Sequence, residues 1–464
     1  MGKGSKMFGE EKIGKLLFKF SIPIILSMLI SELYSMVDTL FVGNEVGSNG
    51  IGALALVYPV QRIIIALSMM IALGTSTAFS RSNGQKNLEN SREIVNNGLS
   101  LAISTMFTLT IVVFLLREKI LITLGASPKI LPYAMEYLSI IIFGSTFLSL
   151  TIFISNIIIS LGNNKISIAS NSIGAITNVI LDYILVVHVK MGVKGAAIAT
   201  TVSQIVGFLY AYYNYVKIKR EYGIPSGFKL QKKIIVPILL VGISSFIVES
   251  EEGIVMAVLN NLLLNTVGDR GIIVLGVITR IYMFLFINMF GIASAMQPIA
   301  AYNIGAKNYE RLKEIMQKTT LSALLTSGVL WGFTMIFAPQ LISLFVKDID
   351  IIRESVKAFR IMVAVFPIIS IYYVSIFYYQ AMGKARYSIL VSVLRQLIIM
   401  MPMAVVLVKV FNLGAMGVWL AYPISDIIVS ITSYILIKDE GTELNTRIEK
   451  QKRIGKLKEE YILH

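Results

Sequence analysis

Cysteine is absent from this chain, and histidine occurs only at His188 and His464. The first absence excludes disulfides and thiolate chemistry, and the second leaves no histidine pair with metal-ligand spacing. Charge is scarce too: Asp, Glu, Lys and Arg are 15% of the 464 residues, against 55% hydrophobic residues and a mean hydropathy of +0.74. So few charges cannot shield that much apolar surface from water, which excludes a soluble domain and makes the bilayer the solvent. No Gly-rich loop ending in Lys-Ser/Thr is present, so ATP is not the direct energy source. There is no ladder of evenly spaced arginines for voltage sensing, and no activated nucleophile, so no enzymatic reaction is expected.

Acidic residues are the rarer sign, 27 against 42 Lys and Arg, for a net charge of +15. Such a balance points to nucleic acid only where the bases form a patch or stripe, and here they do not. With the N-terminus placed in the cytoplasm, roughly 28 of them fall in cytoplasmic gaps, about 10 outside and about 4 within spans, Arg62 and Arg280 among these. This is the positive-inside pattern; it predicts a multi-pass protein of the plasma (inner) membrane with both termini cytoplasmic. The first nineteen residues carry five lysines and two glutamates and no small-residue cleavage site, so no cleaved signal peptide is expected. The Lys-, Ile- and Asn-rich vocabulary suggests a bacterial, AT-rich source.

A membrane span needs roughly 20 apolar residues. Breaks at charged and Gly/Asn-rich positions predict twelve: 16–43, 52–79, 94–116, 132–161, 167–189, 192–216, 236–265, 272–301, 319–338, 355–382, 388–411 and 414–437. Pro23, Pro59, Pro298, Pro367, Pro402 and Pro423 fall inside them as kink positions. The predicted organisation is a cytoplasmic N-terminal segment (1–15), a first lobe of six spans (16–216), a cytoplasmic linker (217–235), a second lobe of six spans (236–437) and a charged cytoplasmic tail (438–464). Within the tail, 447–460 is expected to form a helix lying on the membrane surface.

The second lobe repeats the first at a displacement of about 221 residues. Asn83-Gly84-Gln85-Lys86-Asn87 returns as Ile304-Gly305-Ala306-Lys307-Asn308. Ser160-Leu161-Gly162 returns as Ala381-Met382-Gly383, and Gly192-Val193-Lys194-Gly195-Ala196-Ala197 as Gly414-Ala415-Met416-Gly417-Val418-Trp419. A duplicated membrane scaffold predicts two pseudo-symmetric bundles, a ligand site between them, and alternating access. A cytoplasmic linker after six spans makes the repeat parallel.

Ionisable groups inside spans cost a few kcal/mol each at mid-bilayer, so each needs a reason. At 1.5 Å per residue from Lys19 and Lys165, Asp38 and Asp182 both lie roughly 25–28 Å from the cytoplasmic anchor. Asn178 stands one turn from Asp182 on the same helix face. Thr200 in the next span and Asn156 in the preceding one supply further polar groups. Such a constellation suits a proton or Na⁺; alternatively, Asp38 merely marks the outer end of the first helix and Asp182 hydrogen-bonds near the end of its own. In the seventh span Glu249, Glu251 and Glu252 interrupt an apolar run, with Glu249 roughly 24 Å deep and Glu252 on its face. They predict a negative wall for a cationic ligand or a second proton site, or else a break in the helix with solvated acids. Aromatics crowd the eighth and tenth spans, where Tyr282, Tyr372, Tyr373 and Tyr379 are candidate contacts for planar organic cations.

The residues from Pro23 through Val37-Asp38-Thr39-Leu40-Phe41-Val42-Gly43 resemble the opening helix of the multidrug and toxic compound extrusion (MATE) family. So do Gly162, the Asn178/Asp182 pair, Gly192–Ala197 and Gln297-Pro298-Ile299-Ala300-Ala301-Tyr302-Asn303. The likeness runs over roughly 12–438 and is greatest to bacterial members of the DinF-like or MepA-like kind. It implies an all-α integral membrane protein of the MATE/MOP-type fold, twelve helices in two six-helix bundles, acting as an antiporter for cationic or amphipathic drugs. An H⁺ or Na⁺ gradient would take the place of any cofactor. It also implies an ion site at Asp38, Asn178 and Asp182, with Thr200 beside it. A glutamate used by another branch of the family falls at Glu249 or Glu252, but that branch's aspartate in the tenth helix has no counterpart here, which places coupling in the first lobe.

The expected partners are small organic cations and membrane lipid, without nucleic acid, and a monomer is expected. A flippase for a lipid-linked saccharide of the same superfamily stays open through Arg62, Arg280 and Arg395. A major-facilitator carrier lacks support in the loop 80–92, and a receptor is disfavoured by the duplication.

Overall fold

In a solvent without hydrogen-bonding partners the backbone must satisfy itself within each segment, and helices do so. In the computed structural model, which describes residues 3–225, 227–346 and 348–462, 89% of the chain is helix. After α1 (Lys3–Glu10) come α2 (Ile13–Val46), α3 (Ser48–Gly84), α4 (Leu88–Thr123), α5 (Leu131–Ser160) and α6 (Lys165–Asp182). A π-helical segment, Tyr183–His188, extends α6, and α7 (Gly192–Tyr222) ends at Gly223 in a left-handed cap.

The second half holds α8 (Lys232–Val267), α9 (Asp269–Gly305), α10 (Tyr309–Ile336), a short α11 (Ala338–Ser343), α12 (Ile349–Met362) and α13 (Ser370–Met382). Then follow α14 (Ala385–Val393), a π-helical segment Leu394–Met400, α15 (Met401–Lys409) and α16 (Ala415–Ile462). Among the described residues eleven helices are long and apolar enough to cross a bilayer. A twelfth is the pair Ile349–Met362 and Phe366–Met382, bent by 48° at the break before Pro367. The expected tenth span is therefore a broken helix, as a proline that removes a backbone donor favours. The tail is helical over 447–460 as expected, but it continues α16 rather than forming a helix of its own.

The repeat is visible in the backbone. Lys86 and Lys307 both adopt left-handed φ (60° and 56°), and the next residues, Asn87 and Asn308, both cap the following helix, accepting from the amides of Asn90 and Arg311. Lys190 and Asn412 are left-handed, each two residues before a left-handed glycine, Gly192 or Gly414. A Cβ on Gly195 would come within 3.0 Å of the Leu185 carbonyl oxygen, and one on Gly417 within 3.0 Å of the Leu407 carbonyl carbon. The same strained hairpin turn is thus used in both copies, and glycine at those positions is what permits it.

The chain divides into two compact units, and the division cuts four helices, α1, α2, α3 and α8. One contains Ile22–Ser82 and Asn87–Gly253; the other contains Lys6–Ser21, Asn83–Lys86 and the residues from Ile254 onward. The first half of α8 joins the first unit because glycines let backbones touch. A Cβ on Gly74 would lie 2.2 Å from the Ile238 oxygen, and one on Gly242 1.9 Å from the Met70 oxygen. The linker before α8 is likewise fastened to α4. Arg92 Nε donates to the Tyr222 carbonyl (2.7 Å), Lys229 pairs with Glu93 (2.9 Å), and the Gln231 amide donates to Asn97 Oδ1 (2.6 Å).

In the second unit, α1 packs Phe8 between Phe20 and Tyr302. The Phe8 carbonyl accepts from Asn303 Nδ2 (3.1 Å) and Arg311 Nε (2.9 Å).

Gly242→Ala is expected to destabilise the detergent-solubilised protein by about 1–3 kcal/mol through overpacking. Gly441→Ala, where nothing lies within 4 Å of the added methyl, should be neutral or slightly stabilising. Thermal unfolding of the two variants side by side checks both.

Candidate functional site

Two polar clusters lie inside the apolar helices, one in each unit. The first is built on α2, α5, α6 and α7. Small residues bring α6 and α7 together: Ser170 Oγ donates to the Gly207 carbonyl (2.7 Å), and a Cβ on Gly174 would sit 3.3 Å from the Ser203 oxygen. This close packing sets Thr200 beside Asn178, whose Nδ2 donates to Thr200 Oγ1 (3.2 Å). Asp182 lies one turn further along α6, fully buried at its junction with the π-helical segment. From α2, Asp38 comes within electrostatic reach of Asp182, and Tyr137 on α5 donates its hydroxyl to Asp38 Oδ2 (3.4 Å).

Four buried oxygens of this cluster have no hydrogen-bond partner among the described residues: Asp38 Oδ1, both carboxylate oxygens of Asp182, and Asn178 Oδ1. Unmade hydrogen bonds on buried carboxylates are expensive, and two neighbouring carboxylates add mutual repulsion. Uncharged acceptors and anionic oxygens without donors suit a hard cation, either a proton carried by a carboxyl or Na⁺ among oxygen ligands. Asp38, Asn178, Asp182 and Thr200 are therefore brought together. Asn156 makes no hydrogen bond to them; its amide donates to Ile152 O (2.9 Å) within its own helix. Tyr137 was not singled out in the sequence, where nothing distinguishes it from other tyrosines in apolar runs.

The second cluster centres on Arg395, the second residue of the π-helical segment Leu394–Met400. Its Nε donates to Asp426 Oδ1 on α16 (2.9 Å), Nη1 to the Tyr373 hydroxyl on α13 (3.1 Å) and Nη2 to the Tyr282 hydroxyl on α9 (2.9 Å). Arg395 and Asp426 are 3% and 1% exposed, so this is a desolvated ion pair. Its guanidinium carbon lies 5.7 Å from the Tyr372 ring centre and 5.9 Å from that of Tyr373. Of the four tyrosines singled out from the sequence, Tyr282, Tyr372 and Tyr373 thus meet at one cation. Tyr379 belongs elsewhere, stacked on Tyr387 with centroids 5.3 Å apart.

In α8, Glu249 is half-buried and Glu251 is buried; both fall in the part of the helix that groups with the first unit. The Glu252 side chain lies outside the described residues. Among the described residues no group of three or more His, Asp or Glu side chains is disposed to hold a metal ion.

A multi-pass helical bundle with ionisable clusters buried in its spans has the build of a membrane transporter. The MatE family model matches residues 23–184 and 243–406, once in each half of the repeat, and the chain belongs to that family. The multidrug export protein MepA of Staphylococcus aureus (strain MSSA476) is 24% identical over 435 residues, covering 93% of this chain and 94% of that protein. MepA of Staphylococcus saprophyticus is 23% identical over 440 residues, with the same coverage. A crystal structure of a MATE protein in complex with MaD3S superposes with a TM-score of 0.90 at 24% identity, covering 96% of this chain and 100% of that one. These relatives do not favour the flippase reading.

Arg395→Met should destabilise the protein by about 3–5 kcal/mol, because Asp426 is left as an unpaired buried charge. Arg395→Met/Asp426→Leu should recover most of that loss, which unfolding of the single and double variants measures.

Proposed function

We propose that this protein is a cation-coupled multidrug antiporter of the MatE family, exporting cationic and amphipathic organic compounds by alternating access. The coupling ion is H⁺ or Na⁺, held by Asp38, Asp182 and Asn178 with Thr200 as neighbour. The observation that carries this reading is the group of four buried acceptor oxygens with no donors, two of them on one carboxylate. Left anionic, this group favours any arrangement of α2, α5 and α6 that separates or solvates the carboxylates. Neutralised by a bound ion, it favours the packed one. An ion with such differential affinity shifts the equilibrium between two states, which is what coupling requires. The export assignment is further supported by the MepA relatives, whose names record multidrug export.

In this reading Glu249 and Glu252 offer negative charge to cationic substrates. The positive-inside pattern puts both termini in the cytoplasm, and the protein works as a monomer in the plasma membrane, surrounded by lipid.

The test is dye export in proteoliposomes with a pH or a Na⁺ gradient imposed one at a time. Asp38→Asn and Asp182→Asn should each abolish gradient-driven ethidium export while leaving a folded protein in the membrane. Full export by both variants would overturn the assignment of coupling to this cluster. Glu249→Gln should weaken export of monovalent cations more than that of neutral compounds; equal loss for both would make it a structural residue.

A further inference from the structure

The proposed cation site leaves the Arg395 cluster without a role, and its geometry is not that of a simple cross-link. A guanidinium that only pins helices does best with its two-pronged edge on a carboxylate, where two parallel N–H donors match two oxygens. Here Asp426 meets only Nε. The two terminal nitrogens end on the phenol oxygens of Tyr373 and Tyr282, which are neutral, rotatable acceptors and also donors. Arg395 also sits in a π-helical turn, an irregularity frequent at functional positions. Burial is least complete on the α9 side: Tyr282 and Phe286 on α9 are half-buried, whereas Tyr372 and Tyr373 are buried. Phe286 meets Tyr373 edge-on at 5.5 Å between ring centres, and Phe290 meets Phe377 in the same way at 5.2 Å, so flat aromatic faces continue away from the guanidinium.

We propose that Arg395 is a carboxylate-recognition subsite for zwitterionic aromatic compounds. The ligand's carboxylate replaces the two phenol oxygens on Nη1 and Nη2, while Asp426 keeps Nε. The displaced hydroxyls of Tyr373 and Tyr282 turn to donate to the incoming oxygens. Because Asp426 already balances Arg395, a bare anion would leave one buried negative charge uncompensated. A ligand carrying its own cation avoids that cost, with the cation over the aromatic face of the half-buried Phe286. This deepens the drug-export reading by assigning one residue to the recognition of a ligand carboxylate, and it rests on that reading only for the direction of transport.

The probes are a xanthylium dye with a free carboxylate and its methyl ester, a pure cation with the same fluorophore. Binding to purified full-length protein is followed by fluorescence polarisation. Wild type should bind both. In Arg395→Gln/Asp426→Asn, which removes both charges while keeping polar side chains of similar shape, affinity for the carboxylate dye should fall about ten-fold or more and affinity for the ester should hold. Arg395→Lys should show the same split, since an ammonium cannot present the fork.

Equal loss of both dyes, or no loss of either, overturns the proposal and leaves a structural pair. Should the variants fail to fold, competition on wild type decides. A zwitterionic aromatic acid should displace the carboxylate dye, and its primary amide should not; equal displacement overturns the proposal. Wild-type vesicles that export the ester while the protein fails to bind the carboxylate dye would refute this subsite alone. Vesicles that export neither dye, although the protein binds both, would refute the export reading and leave the subsite standing.

Discussion

Everything in this fold follows from the lack of water in which to hide a polar group. Each buried donor or acceptor must be satisfied inside the protein, and the spans show how routinely this is done. Hydroxyls of Ser68, Thr75, Ser100 and Thr319 turn back onto the carbonyls of Ile64, Ile71, Asn96 and Ile315, one turn earlier in their own helices. Asn156 and Asn97 do the same with their amides. Against that background a polar group not absorbed by its own helix is conspicuous. Asp38, Asn178 and Asp182 are such groups in the first unit, and Arg395 and Asp426 in the second.

The two clusters answer the same constraint in opposite ways. Both involve the fifth helix of their half, and both adjoin a π-helical segment: Tyr183–His188 directly after Asp182, and Leu394–Met400 around Arg395. The duplicated plan supplies the helix and the turns that frame it, shown by the left-handed pairs Lys190 with Gly192 and Asn412 with Gly414. The π segments stand at different places along their helices, however, so the repeat does not impose the chemistry. In one copy two acids share a pocket without a counter-charge, and in the other an acid and a base neutralise each other.

The helical plan, the repeat and the aspartates of the first cluster were legible because each leaves a local signature. An apolar run of span length, a Gly-Xaa-Lys-Asn turn and a charge in mid-span can all be read in one window. The break at Pro367 was legible for the same reason. The continuation of the last span into the tail was not, because a charged helix reads alike whether it lies on a membrane or extends a span. The grouping of α8 was hidden as well. It depends on Gly74 and Gly242 facing carbonyls of another helix, and a glycine in an apolar run does not announce what it touches. Asp426 carries the same mid-span signal as Asp182, yet it gains its meaning only from Arg395 on another helix, 31 residues earlier. Tyr137 lies 99 residues from Asp38, and only the packed bundle brings its hydroxyl to the carboxylate.

The difference in charge balance also divides the labour. A cluster can couple an ion gradient to a conformational change only if taking up the ion alters its electrostatic energy substantially, and a pair of buried carboxylates without a counter-charge does so at the first charge bound. The Arg395–Asp426 pair is already neutral, so a single cation gains little by entering it. What such a pair retains is shape: donors at fixed angles among aromatic faces, which discriminate between ligands better than they store energy. On the proposed reading, breaking the symmetry of a duplicated scaffold at the fifth helix of each half would let one copy answer to an ion and leave the other free to read the cargo.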